Sequence, residues 1–200
     1  MENFLESGII LAYVLGNATL EEAALVEMMA GQHPEIRFEI NATEETLETY
    51  AMAHAIAPPP TVKPFLRATL DYTERMMKGE SPAAPPHLNA LSKISDYSEW
   101  LDRKDFILPT DFDGVYAKIF GYTPEAISAV VWIKEAAPYE VHDDEFEKFL
   151  VLEGTCDITI AGEVHQLKAG DYLAIPLYKD HMVKVTSSNP CKVILQRIAA

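Results

Sequence analysis

Two histidines and two glutamates, Glu140, His142, Glu147 and His181, lie in one stretch of the chain, residues 138–181 (PYEVHDDEFEKFLVLEGTCDITIAGEVHQLKAGDYLAIPLYKDH). Imidazole nitrogen and carboxylate oxygen together suit a divalent transition metal. Zinc accepts such a set readily, and iron, manganese or nickel are also compatible. Spacing indicates how the chain could present them. Glu140 and His142 are two residues apart, so on a strand both side chains leave the same face. Glu147 opens the run EKFLVLEG, in which Glu147, Phe149 and Val151 share one face and Lys148, Leu150 and Leu152 the other. Gly154 turns the chain, and a second alternating strand runs from Asp157 to Ala161. Gly170-Asp171 leads into a strand through Ile175 and Pro176, after which His181 has the parity of Val183 and Val185. Brought together inside a small barrel, the four would form a mixed nitrogen–oxygen metal site. Asp143, Asp144 and Glu145 read as a solvated acidic turn beside it, and no separate acid–base pair stands out.

The elements that must position these residues resemble the cupin superfamily, whose first motif is Gly-x5-His-x-His-x(3,4)-Glu-x6-Gly. Here Glu147-x6-Gly154 fits, with His142 four intervening residues before Glu147. The second motif, Gly-x5-Pro-x-Gly-x2-His-x3-Asn, is matched by Gly170, Pro176 and His181, and 15 residues separate Gly154 from Gly170. Glu140 stands where the first His belongs, Tyr178 replaces the second motif's Gly, and Val185 its closing Asn. The resemblance implies a double-stranded β-helix, or jelly roll, in which all four donors converge on one metal. A carboxylate at position 140 makes that site harder and more anionic. Cupin barrels often pair through an outer sheet, which implies a homodimer.

Residues 94–200 supply the strands of that barrel, with SAVVWI (128–133) a buried strand by its short, β-branched, apolar character. Residues 79–93 contain GESPAAPPHLNA and read as a linker. Residues 1–78 read as four amphipathic helices forming a small bundle, so the whole is an α+β multidomain chain. Thr19 and Glu22 form a capping box opening the second helix, and Pro34 suits the start of the third. The fourth opens at Lys63-Pro64, with Leu66, Thr69/Leu70, Thr73 and Met76/Met77 as its stripe. A helix ending Tyr-x-Leu-Gly, a Thr-x-Glu-Glu start and a Pro-Glu start, in that order, resemble the N-terminal domain of bacterial anti-sigma factors. The zinc positions of that family fall on Met29, His33 and Ile36 here, so the resemblance is to its zinc-free form. A helical anti-sigma domain followed by a cupin is the layout of the ChrR-type anti-sigma factors.

Composition narrows the function classes. The net charge of −15 opposes direct binding to nucleic acid or an anionic membrane. No apolar run is long enough to span a bilayer, and the acidic N-terminus lacks a basic signal region. Two cysteines without metal-ligand spacing fit a reducing cytoplasm. Two functions follow. One is a soluble regulator that holds an extracytoplasmic-function sigma factor, with the cupin sensing a metal, oxidant or small-molecule effector. The other is a metal-dependent cupin enzyme, a dioxygenase or isomerase, acting on a small molecule. A sigma-binding bundle has no use in the second, so the regulator is expected rather than the enzyme.

Overall fold

In the computed structural model, which describes residues 2–200, the chain divides between Ala57 and Pro58. The first unit holds α1 (Glu2–Leu5), α2 (Ile9–Val14), α3 (Leu20–Gln32) and α4 (Pro34–Ala53). The expected capping box opens α3. Thr19 Oγ1 accepts the Glu22 N–H at 3.2 Å, and the Glu22 carboxylate accepts the Thr19 N–H at 2.8 Å. Pro34 occupies the first turn of α4, where a missing N–H costs nothing. Ile10, Val26, Ala30, Ile36 and Ile40 form the core of this unit. Tyr13 donates to Glu27, which also takes Arg37 at 3.0 Å. Past Ile40 the stripe of α4 loses its cover, and Tyr50 and Met52 are exposed.

The fourth expected helix, α5 (Val62–Met77), falls in the second unit with the barrel, so the first unit by itself is not the expected bundle. The division lies at Ala57/Pro58, ahead of α5, whereas the sequence placed the boundary after residue 78. The reason lies in which stripe is apolar in three dimensions. Ala68 and Tyr72 are buried in the barrel core, with Phe65 and Met76 packed beside them. These are helical neighbours on one face. Leu66, Leu70 and Met77, the residues expected to face a bundle, are exposed. Polar contacts fix the helix to β1 (Val115–Tyr122): Asp71 pairs with Lys118, and Arg75 donates to the Ile119 carbonyl.

The expected jelly roll is present as two antiparallel sheets. The remaining strands are β2 (Ala126–Ile133), β3 (Ala136–Glu140), β4 (Glu145–Glu153), β5 (Thr155–Ile160), β6 (Glu163–Lys168), β7 (Tyr172–Ile175), β8 (His181–Val185) and β9 (Cys191–Ala199). One sheet runs β1-β2-β9-β4-β7 and the other β3-β8-β5-β6. Between them lie Ile119, Val131, Phe149, Val151, Ile158, Val183, Val193 and Leu195. Cys156 and Cys191, both buried and unbridged, close this core at one end.

The outer face of the five-stranded sheet is also covered. Phe120, Val130, Trp132, Leu150, Leu152 and Ile194 pack under Leu88, Tyr97, Trp100 and Phe106. Burial on both faces explains why β2 is apolar almost throughout rather than alternating. Residues 79–93, expected as a linker, are therefore held against the barrel. Gln196, fully buried, accepts the Leu88 N–H at 2.6 Å and donates to the Pro86 carbonyl and Ser128 Oγ, each at 2.9 Å. A Cβ on Gly121 would lie 2.3 Å from Pro85 Cδ, so that glycine permits the close approach of the same segment. No helix among the described residues is long and apolar enough to cross a membrane.

Gln196→Ala removes three partners from buried backbone and hydroxyl groups and leaves a small void. It should destabilise the barrel by about 2–4 kcal/mol. Urea unfolding followed by tryptophan fluorescence measures this, since Trp100 and Trp132 lie in the affected layer. A loss below about 1 kcal/mol would show that the segment is not pinned by Gln196.

Candidate metal centre

Strand register assembles the centre. Glu140 on β3 is directly opposite His181 on β8, and Glu147 on β4 is directly opposite Arg197 on β9. Residues directly opposite on antiparallel strands present their side chains to one face. One pair belongs to each sheet, so the sandwich brings the two pairs together at one end. His142 follows β3, and its carbonyl accepts the Tyr178 N–H at 2.8 Å. One ligand atom from each of Glu140, His142, Glu147 and His181 lies within 4.8 Å of the others. All four residues expected from the sequence are thus together.

Glu147 and His181 are 2% and 3% exposed, and Glu147 Oε2 lies 2.9 Å from His181 Nε2. His142 Nε2 is buried without a hydrogen-bond partner. It sits 3.6 Å from Glu140 Oε2 and 3.7 Å from Glu147 Oε1, close to both oxygens but beyond hydrogen-bond reach. A buried polar atom left in this way calls for an explanation. A metal ion among these oxygens and the imidazole nitrogen supplies one, so the residues fit the group that the barrel type implies.

Two further residues belong to the centre. Arg197 Nε donates to Glu147 Oε1 at 3.0 Å, and Nη2 donates to Glu140 Oε2 at 3.2 Å. Its guanidinium also stacks on the Phe65 ring, 4.7 Å from the centroid. Glu145, expected in a solvated turn, instead lies 3.3 Å from Arg197 Nε and 3.5 Å from His142 Nδ1, whereas Asp143 and Asp144 do stay exposed. The signals for both were local. Glu145 shares the strand parity of Glu147, and Arg197 shares that of inward-facing Val193 and Leu195.

Three carboxylates against one guanidinium leave a net charge of −2 when the imidazoles are neutral, which a divalent cation cancels. Burial pushes the Glu147 carboxyl up, but the His142 and His181 imidazoles and the Arg197 charge outweigh it and hold it well below the usual carboxylate range. Glu145 is pushed up by burial, against the pull of Arg197 and His142. The Glu147 carboxylate raises His142 against the effect of burial. A metal must displace protons from that ring as pH falls through its raised value, so affinity weakens on acidification.

A cavity of about 30 Å³ adjoins the centre, lined in part by Thr61, Phe65, Glu140, Glu147, His181 and Arg197. That is room for an ion and a water or two, while an open cleft of about 370 Å³ also borders Glu140, His142 and Arg197. The start of α5 narrows the cavity's mouth, where the Thr61 hydroxyl donates to Glu140 Oε1 and Phe65 lies on Arg197.

Residues 129–196 match the cupin domain family, so this part of the chain is a cupin domain. Similar solved structures include the Cnp3 cupin domain of Schizosaccharomyces pombe, at 13% identity and a TM-score of 0.42 over 44% of this chain and 67% of that one. A predicted oxalate decarboxylase of Thermotoga maritima shares 18% identity with a TM-score of 0.41 over 43% of this chain and 81% of its own. KdgF of a Halomonas species shares 18% at a TM-score of 0.40, over 45% and 85%. No curated protein matches the chain significantly.

Tyr178 occupies the second motif's glycine position at φ 59°, in the left-handed region. The turn thus keeps a glycine-like backbone under a side chain that opposes it. Tyr178→Gly should raise stability by about 0.5–1 kcal/mol, the relieved strain exceeding the entropy cost of glycine. Unchanged or lower stability in urea would mean that the exposed phenol contributes packing. For the metal, His142→Ala and His181→Ala should abolish stoichiometric zinc in elemental analysis, while Glu140→Ala should weaken it about 10–100-fold. Wild-type protein that takes up no zinc when the ion is supplied in excess would remove the centre, though not the fold.

Proposed function

We propose that the chain is an anti-sigma factor whose cupin domain is a metal-loaded sensor. On this reading residues 1–57 hold an extracytoplasmic-function sigma factor in the cytoplasm, and a metal, oxidant or small molecule acting at the centre releases it. The observation that carries the sensor half is the convergence of Glu140, His142, Glu147 and His181 around a buried imidazole nitrogen with no hydrogen-bond partner. Zinc suits the donor set best, with iron, manganese or nickel as alternatives according to supply.

The partner half rests on the sequence resemblance, and the surface of the helical unit supports it. Leu11, Leu25, Met28 and Phe38 on α2, α3 and α4, and Leu15 just past α2, are large, apolar and exposed. Residues 1–57 carry ten acidic side chains against one basic, a net of −9. An acidic surface with apolar anchors complements the basic, DNA-contacting face of a sigma factor and would be steered to it. A homodimer would use the outer face of the four-stranded sheet, since the chain covers the other sheet itself.

The full chain should therefore co-purify with a sigma factor of its own organism and repress transcription from that factor's promoter. Residues 58–200 alone should do neither. A full chain that binds no sigma factor, assayed with and without zinc, would move the assignment to a small-molecule cupin.

A further inference from the structure

Every carboxylate oxygen of Glu140 and Glu147 is engaged within the barrel. Glu140 Oε1 takes the Thr61 hydroxyl and Glu147 Oε2 lies against His181 Nε2. The other two, Glu140 Oε2 and Glu147 Oε1, take Arg197. These last two are also the oxygens that face the partnerless His142 Nε2, at 3.6 and 3.7 Å. The guanidinium is thus bound to the oxygens that a metal held by His142 would need.

We propose that Arg197 is a tethered competitor for the metal, a resident cation that sets how tightly the centre binds zinc. This rests on the metal-centre reading above and adds the residue that tunes it. An arginine that merely oriented ligand carboxylates would donate to the oxygens turned away from the metal and strengthen binding. Arg197 donates on the imidazole side instead. It cannot withdraw by losing its proton, because guanidinium stays charged throughout the accessible pH range. A divalent ion at the centre must therefore push a fixed positive charge off two carboxylates inside a water-poor cavity, where like charges repel strongly. The displaced group has somewhere to go: Glu145 Oε1 already lies 3.3 Å from Arg197 Nε, and the Phe65 ring backs the guanidinium. Metal uptake becomes an exchange of one cation for another, which holds affinity down and makes loading reversible, as a sensor requires.

The test is zinc affinity of the full chain by competition with a chromophoric chelator, for wild type, Arg197→Met, Arg197→Gln and Arg197→Lys, with melting temperatures measured with and without zinc. Arg197→Met and Arg197→Gln should bind zinc about 10–100-fold more tightly, on the scale at which residues next to a ligand change affinity. Both should melt lower than wild type without zinc, since three carboxylates lose their counter-charge, and gain more on adding it. Arg197→Lys, which keeps the cation, should stay closer to wild type. Arg197→Gln guards against a folding failure of Arg197→Met, because the amide can still donate a hydrogen bond. Equal or weaker zinc binding in a neutral variant with a wild-type circular-dichroism spectrum would overturn the competition and leave the metal centre standing. No zinc in wild type or in any variant would remove the centre and the competition together.

Discussion

The barrel depends on keeping one carboxylate ionised where water does not reach. Glu147, the third residue of β4, is 2% exposed. Burying an uncompensated charge costs several kcal/mol. Compensation comes from Arg197, opposite in register on the neighbouring strand, and from His181 on the other sheet. That pairing also fixes the register of β4. A slip of one residue would turn Glu147 toward the layer of Leu150, Leu152 and Trp132, with no cation to meet it. The hydrophobic alternation and the buried charge therefore select the same arrangement.

The remainder of the centre follows from that constraint. With Glu147 and Arg197 set by one sheet, the other sheet adds Glu140 and His181 as an opposed pair, and the turn past β3 adds His142. Nearly all the polar groups are satisfied by one another, except the His142 nitrogen that faces the shared oxygens. A site so closely balanced responds to any change in its charge.

What the sequence disclosed was mostly local. The faces of β4 separate as its alternation requires, Phe149 and Val151 inward with Glu147 and Leu150 and Leu152 outward. The capping box at Thr19 could be read from spacing alone, because helix caps are decided over a few residues, whereas the four candidate ligands needed the cupin resemblance beside strand parity, since His142 lies past the end of β3. The allegiance of α5 could not be read in either way. A helical stripe tells which residues seek cover but not whether a helix or a sheet supplies it, and here Ala68 and Tyr72 mattered more than the larger Leu66 and Leu70. Residues 79–93 misled for a related reason. Prolines and small residues suit a free linker, yet an extended strap whose amide and carbonyl groups are met by Gln196 has the same composition. Parity with Val193 and Leu195 placed Arg197 on the inner face, but the partner that gives it a role there stands 50 positions earlier in the chain.

The two cysteines bring a practical consequence. Cys156 and Cys191 are 1% and 0% exposed, and the neighbouring Cys191 thiol and burial push the Cys156 thiol up, away from the reactive thiolate. They lie four residues along β5 from the partner of His181 and six along β9 from Arg197, about 13 and 20 Å at strand rise. An alkylating reagent can reach them only when the strands part, so the rate of thiol labelling is an intrinsic clock for opening of the sandwich. Because the sulfurs are remote from the ligands, that clock can time how a bound ion slows such opening without the label itself disturbing the ion.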